Sequence, residues 1–313
     1  MKAKAQAALE NSLTVAICTY NNSAELALTL CSLSSVDGIR GEGIDVIIID
    51  NNSTDDTKAI ASSWFAETGI AGACVQESRQ GLSFARNRAL TESRASFVAF
   101  IDDDVVVGKE WLLAVRNAFM SYAAALVGGR SYIIYREELP LWLSEYSEIA
   151  LSRCDYGDEV LVGTREVMFG LNYAVDRERA LAVGGFRVDL GRIGKCLLSG
   201  EEEDLQLKLE SSGGKVVYEP GAIVGHRVSN ERLRRAWFLR RSYWGGVSRG
   251  IIMRESYRHQ PICKMIAVAG REAFRALLAQ CSLRMASSEK FDRWCEASRQ
   301  CGLVRSRLSN SFR

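Results

Sequence analysis

The sequence predicts an α/β protein with a mainly parallel sheet and helices on both faces, on three observations. Short β-rich apolar runs alternate with helical stretches from residue 13 onward; several of those runs end in polar side chains; and one ends in an acidic triplet, Asp102-Asp103-Asp104. Alternating β and α elements are the pattern of parallel sheets covered by helices. In such sheets ligands sit outside the carboxyl ends of the strands.

The first unit is a strand at 13–18, a turn at Thr19-Tyr20-Asn21-Asn22-Ser23 and a helix at 24–35. Asn and Ser supply the hydrogen-bonding groups that start a helix. The second is a buried strand at 46–49, the polar stretch Asp50-Asn51-Asn52-Ser53-Thr54-Asp55-Asp56 and a helix at 57–66. A third run at 73–76 leads to Gly81 and a helix at 83–93, and a fourth strand at 96–101 ends at the triplet. Farther on, 168–190 reads as a strand, a helix and a Gly184-Gly185 break. Glu201-Glu202-Glu203-Asp204 then opens a helix with Leu205 and Leu209 on its inner side. Residues 215–226 read as a hairpin-like strand pair closing on His226, one of two histidines.

With 313 residues and 47% hydrophobic composition, the chain can form one large domain or a domain with an appendage. It contains no apolar run of about 18 or more residues, and Met1-Lys2-Ala3-Lys4 does not open a secretory signal, so a cytoplasmic protein is expected. Nine cysteines without a CxxC pair indicate reduced, mostly buried thiols. Neither G-x-G-x-x-G after the first strand nor G-x-x-x-x-G-K-[ST] occurs, which excludes phosphate binding by those loops. The net charge of +2 conceals an asymmetry: residues 231–313 hold 18 Lys and Arg against 6 Asp and Glu, leaving 22 against 32 for the rest. An acidic body with a basic tail points to different partners for the two parts.

Three adjacent carboxylates repel one another and suit a hard cation such as Mg²⁺ or Mn²⁺; a solvated acidic turn is the alternative. The acids at 201–204 fit a helix N-terminus by its dipole, and they also fit a mounted general base whose pKa is raised by like charge. In the tail, arginines interleave with Trp237, Phe238, Tyr243 and Trp244. Ile262, Met265, Ile266, Ala269, Phe274, Leu277, Leu278 and Cys281 then recur near helical spacing, with Lys264, Arg271 and Arg275 off the stripe. Such a helix can pack on a protein core or lie on an anionic membrane. Trp142, Tyr146 and Tyr156 could line a ligand groove or pack internally.

The stretches VAICTYNN, VIIIDNNSTDDT, RQGLSFARNRAL, FVAFIDDDVVV, FGLNYAVDRERALAVGGF, LLSGEEEDLQLKL and VVYEPGAIVGH together resemble family 2 glycosyltransferases of the bacterial polysaccharide-biosynthesis type. The resemblance covers about residues 13–226 and implies a GT-A fold, Rossmann-like; charge and helical spacing add a basic, mostly helical C-terminal extension. It divides the chain into a tail at 1–12, a nucleotide-sugar and acceptor-binding catalytic domain at 13–230 and a basic region at 231–313. It implies an inverting hexosyltransferase that moves a sugar from a nucleotide diphosphate sugar, UDP-linked in the first instance, to a hydroxyl of a glycan or lipid-linked acceptor. Thr19, Tyr20 and Asn21 would cradle the base, Asp50 and Asn51 would lie on the base and ribose side, and Arg86 and Asn87 would close over the nucleotide. Asp102 and Asp103 would hold ribose and metal-bound water. Asp104 would ligate Mn²⁺ or Mg²⁺, with His226 and Asp102 completing the metal surroundings. Gly170 and Asn172 would border the donor sugar, and Glu202 would be the base. Two departures stand out: Asn51 replaces an acid, and Glu201-Glu202 replaces Glu-Asp, which brings Glu203 and Asp204 into play.

The arginines, aromatics and amphipathic stripe of the basic region suggest peripheral contact with anionic membrane at its inner face, or with a lipid-diphosphate acceptor; no nucleic-acid partner is expected. Two rivals are a haloacid-dehalogenase-like phosphatase, whose D-x-D-x-V nucleophile motif is matched by Asp102-Asp103-Asp104-Val105-Val106, and a non-catalytic protein that binds anionic surfaces.

Overall fold

The computed structural model describes residues 12–194, 196–254 and 261–308. Residues 1–11 of the expected N-terminal tail lie outside them. The chain forms two compact units: one from residues up to Ile134 with Ser152–Asp189 and Glu201–Arg227, the other from Tyr135–Leu151, Leu190–Gly200 and the stretch from Val228 onward. The second unit therefore draws on two internal segments as well as the basic region.

Among the described residues the first unit holds a nine-stranded sheet. Its strands are β1 (Leu13–Thr19), β2 (Ile44–Asp50), β3 (Gly72–Gln76), β4 (Phe97–Asp102), β5 (Val105–Val107), β6 (Leu126–Ile134), β7 (Leu161–Val162), β8 (Asn172–Asp176) and β9 (Val216–Arg227). The order is β3-β2-β1-β4-β8-β6-β9-β5, with β7 paired to β9. β1 to β4, β6 and β9 share one direction, and β8, β5 and β7 run against it. Helices α1 (Ser23–Leu33), α2 (Thr57–Thr68), α3 (Leu82–Glu92), α4 (Trp111–Tyr122), α6 (Arg177–Ala182) and α7 (Glu201–Ser211) cover it; the short α5 (Glu145–Glu148) belongs to the second unit.

Side-chain alternation divides the core. Val15 and Ile17 of β1 with Val46 and Ile48 of β2 face α1, α2 and α4, where Leu26, Leu30, Trp64, Trp111 and Val115 complete one apolar layer. Ala16, Ile47 and Ile49 face the other way onto Ala85, Ala89, Leu205 and Leu209 of α3 and α7. Strands buried on both faces need this near-continuous apolar sequence, and each fully buried aliphatic side chain contributes about 1.5–3 kcal/mol.

The register then assembles the strand ends. Thr19 pairs with Asp50 across β1–β2, and Cys18 pairs with Asp102 across β1–β4. The polar residues that follow each strand are thereby set in a row. Residues 215–226 are a correction: they form one strand, not a hairpin. Its pairing with β6 jumps from Gly129↔Glu219 to Arg130↔Ile223, so Pro220, Gly221 and Ala222 make a bulge while both flanks stay in the same ladder. The strand continues to His226, which lies opposite Val105 of β5.

The second unit is helical, with α8 (Arg235–Ile252), α9 (Ile262–Cys281) and α10 (Ser287–Leu308). α8 and α10 meet through glycines: a Cβ on Gly246 would lie 1.9 Å from the Arg299 carbonyl oxygen, and one on Gly302 would lie 1.9 Å from that of Tyr243. Only residues without a side chain allow the backbones so close. Trp142 packs edge-on against Phe238 and Phe291, whereas Tyr146 is exposed. No helix among the described residues is long and apolar enough to cross a membrane. All nine cysteines are free thiols, yet only Cys154 and Cys295 are buried, and Cys31, Cys263, Cys281 and Cys301 are exposed. The expectation of mostly buried thiols fails because helices place several on their outer faces.

Candidate active site

The acidic turn after β4 is tied down from two sides. Thr29, a polar residue on the buried face of α1, donates through Oγ1 to the Asp103 carbonyl at 2.8 Å and accepts from the Val105 amide at 3.1 Å. Arg227 donates to the Val105 carbonyl (2.7 Å), Thr29 Oγ1 (2.8 Å) and Glu25 Oε2 (2.8 Å). The turn is thus held by backbone groups, which leaves the three carboxylates to face different neighbours.

Asp103 accepts from Thr19 Oγ1 at 2.6 Å and from Asn22 Nδ2 at 2.8 Å. Burial and the adjacent Asp104 push its carboxyl up to about 7, against the lowering effect of those two donors. Asp104 and His226 are both buried, with His226 Nε2 3.4 Å from Asp104 Oδ2. Asp102 is more open and lies 3.6 Å from Arg86 Nη2.

The second acidic group is linked to the first through Arg86. This side chain is buried; its Nη1 donates to Glu201 Oε1 at 2.7 Å and lies 3.7 Å from Glu202 Oε2. A Cβ on Gly170 would lie 2.0 Å from Arg86 Nη2, so the glycine makes the room this guanidinium fills. Burial opposes the Arg86 charge, but Glu202, Glu201 and Asp102 hold its pKa above the usual arginine range. Burial and the neighbouring Glu202 push Glu201 up to about 8, partly offset by Arg86. Within the acidic turn of α7, Asp204 is engaged by Arg187 (3.2 Å) and Lys208 (2.8 Å). Glu202 keeps 18% of its side chain exposed.

Not every expected residue reaches this site. Thr19 is buried on Asp103, while Tyr20 is exposed beside it. Asn21 sits in the left-handed region at φ 48° and accepts from the Thr54 amide at 2.7 Å, lacing the ends of β1 and β2. Asp50 accepts from the Ser53 amide at 2.8 Å. Asn51 is a loop brace: it donates to the carbonyls of Glu77 (3.1 Å) and Arg79 (2.7 Å) and accepts from the Gly81 amide (2.8 Å). An acid could not make the first two bonds, which accounts for the amide at this position. Asn87 pairs with both the amide and the carbonyl of Phe186 and fixes the Gly184-Gly185 turn instead of pointing outward. Asn172 also has a different role from the expected one. Its amide is buried and fully engaged by the Trp111 indole (2.8 Å) and the carbonyls of Arg130 (3.1 Å) and Ala222 (2.7 Å). Tyr156 donates to the Val167 carbonyl and packs on Tyr218.

Thr29, Arg227, Asn22 and the Arg86–Glu201 link were missed in the sequence. Thr29 alone carried a signal, as a polar residue at the apolar spacing of Leu26, Leu30 and Leu33.

Among the described residues no three His, Cys, Asp or Glu side chains converge as a preformed metal cage. Asp104 and His226 nevertheless fit a shared cation. Two neighbouring ligands on an octahedral ion with bonds of about 2.1 Å stand about 3 Å apart, close to the observed 3.4 Å, and carboxylate with imidazole suits Mn²⁺.

The model of the family described as glycosyl transferase family 2 matches residues 14–173. The succinoglycan biosynthesis protein ExoM of Rhizobium meliloti is 26% identical over 83% of this chain and 81% of its own length. A glucosyl-dolichyl phosphate glucuronosyltransferase of Haloferax volcanii is 23% identical over 77% of each. Among solved structures, the mannosyltransferase PcManGT of Pyrobaculum calidifontis, in complex with GDP-Man and Mn²⁺, superposes with a TM-score of 0.63 at 19% identity, covering 96% of this chain and 88% of that one. GalNAc-T7 with UDP, GalNAc and Mn²⁺ gives 0.56 at 15% identity, over 76% of this chain and 50% of the other. These structural likenesses are of fold.

Proposed function

The chain belongs to glycosyl transferase family 2 and is a glycosyltransferase; from that premise we propose that it is an inverting enzyme transferring a hexosyl group from a nucleotide diphosphate sugar, UDP-linked in the first instance, to a hydroxyl of a glycan or lipid-linked acceptor in polysaccharide assembly. The observation that carries this reading is the buried guanidinium of Arg86, which joins the acidic turn at 102–104 to the acidic N-terminus of α7. Two negative clusters with one shared guanidinium between them form a site with one end suited to a divalent cation that would offset a diphosphate's charge and one end suited to accept a proton from an alcohol.

In this mechanism Tyr20 stacks on the base, Asp50 lies at the base and ribose side, and Asp102 and Asp103 hold ribose and ordered water. Asp104 and His226 would hold Mn²⁺ or Mg²⁺, which when bound neutralises negative charge on the diphosphate. Glu202 accepts the acceptor hydroxyl's proton as that oxygen forms its bond to the anomeric carbon. The bond from that carbon to the diphosphate oxygen breaks, and its electron pair leaves with the nucleotide diphosphate. A single displacement inverts the anomeric centre. Glu201, buried and bonded to Arg86, fixes the helix end that positions Glu202.

The test is Glu202→Gln. Transfer, followed as nucleotide diphosphate release in the presence of acceptor and Mn²⁺, is expected to fall by about 10²–10⁴. Nucleotide binding by calorimetry is expected to stay within about twofold. Near-full transfer by the variant would remove Glu202 from the role.

A further inference from the structure

α9 is amphipathic on two opposite sides. Met265, Ala269, Glu272, Ala276 and Ala279 are its buried residues, and α9 packs on α10. At about 100° per residue, the opposite side carries Ile266, Leu277, Gly270, Cys263, Cys281, Phe274, Ala267 and Leu278, a sector of about 120° without a charge. These residues are in the open: Ile266, Phe274, Leu277 and Leu278 keep 52–60% of their surface exposed, and Leu283, just past the helix, is fully exposed. The expected single stripe is thus two. Met265 and Ala269 belong to the buried one, and Ile266, Phe274, Leu277 and Leu278 belong to the exposed one.

A basic strip follows one edge of the exposed sector. Lys264, Arg271 and Arg275 project there, and the two arginines share one carboxylate, Glu272, at 3.5 and 2.7 Å. The other edge offers Gln280 and Ala273, with no acid. A second copy of the chain would bring this strip no acidic counterpart along the same face. Anionic headgroups would, and acyl chains would take the apolar sector. We propose that this outward face of α9 is a peripheral membrane-binding surface that lies in the interface of a bilayer containing anionic lipid.

Flotation of the full chain with phosphatidylcholine vesicles, with and without phosphatidylglycerol, tests it. The native protein is expected to float with the anionic vesicles, and Phe274→Ser/Leu278→Ser is expected to lower the bound fraction about tenfold or more. Lys264→Gln/Arg271→Gln is expected to abolish the preference for phosphatidylglycerol. Because all four side chains are exposed, unchanged thermal melting and unchanged transfer to a soluble acceptor are expected of both variants, which separates a surface defect from a folding defect. Absence of flotation, or equal flotation by the Phe274→Ser/Leu278→Ser variant, would overturn the proposal. So would a native dimer that fails to float and that this variant dissociates, because the face would then be a contact between copies.

Discussion

Replacing Arg86 with Met is expected to lower the unfolding free energy of the first unit by about 3–5 kcal/mol near pH 8.5, and by less near pH 5.5. The magnitude follows from burial. The Arg86 and Glu201 side chains are 3% and 2% exposed and 2.7 Å apart, so they belong with buried pairs and not with surface pairs worth about 0–1 kcal/mol. Removing the guanidinium leaves a carboxylate in a dry site next to Glu202. The pH dependence has a definite sign. Folded Glu201 holds its proton up to about 8 against an ordinary 4.5, so between those values the native state binds more protons than the unfolded chain, and stability falls as pH rises. Without Arg86 that proton is held still higher, which makes the substitution more costly on the alkaline side. Urea unfolding followed by far-UV circular dichroism at both pH values measures the difference. Arg86→Met/Glu201→Gln is expected to recover a large part of the loss, since the most deeply buried carboxylate is then neutral and only the more exposed Glu202 and Asp102 lose the guanidinium. An equal loss at both pH values, or no recovery in the double variant, would show that Arg86 contributes packing alone.

Asn51→Asp is expected to destabilise the protein by about 1–3 kcal/mol, because the buried carbonyls of Glu77 and Arg79 lose their donors; the melting temperature reads this out. Gly170→Ala would place a methyl 2.0 Å from Arg86 Nη2, so steady-state transfer is expected to fall at least tenfold, with a lowered melting temperature. The pH profile of kcat/KM for transfer is expected to rise towards about 8 as the Glu201–Glu202 pair loses its proton. Glu201→Gln should move that limb to lower pH by removing the like charge.

The repeating strand–helix pattern of the first unit was legible because each buried strand is a short apolar run bounded by turn chemistry, as 13–19 and 44–50 show. The strand at 216–227 was misread because Pro220-Gly221 signals a turn equally well whether it ends a strand or bulges one. At the site, residue type located the acids but not their partners. Nothing local to Arg86 says that Gly170, 84 positions away, leaves space for it, and nothing local to Asn172 says that Trp111 will donate to it. Those pairings arise when β8 runs antiparallel to β4 and brings Asn172 opposite Ile101. The exposed stripe of α9 was half legible for a related reason: periodicity shows that a helix has apolar sides, while tertiary packing decides which side is buried.

The carboxylates of this site differ by environment more than by kind. Asp103 is held by Thr19 and Asn22, Glu201 by Arg86, and Asp204 by Arg187 and Lys208. Geometry and not basicity separates them: the pKa of Asp103 is raised to about 7 and that of Glu201 to about 8, but the carboxylates of Asp103, Glu201 and Asp204 are each turned onto partners within the protein. The division points to Asp104, facing an imidazole, for cation binding and to Glu202, partly exposed, for proton transfer. It also gives the pair Glu201-Glu202 a physical sense: the first glutamate reaches the buried guanidinium, and the second stands at the edge of the same charge with solvent access. If the roles were reversed, Glu201→Gln would abolish transfer while Glu202→Gln spared it. The present assignment requires the opposite order, with Glu201→Gln shifting the pH profile and Glu202→Gln removing the rate.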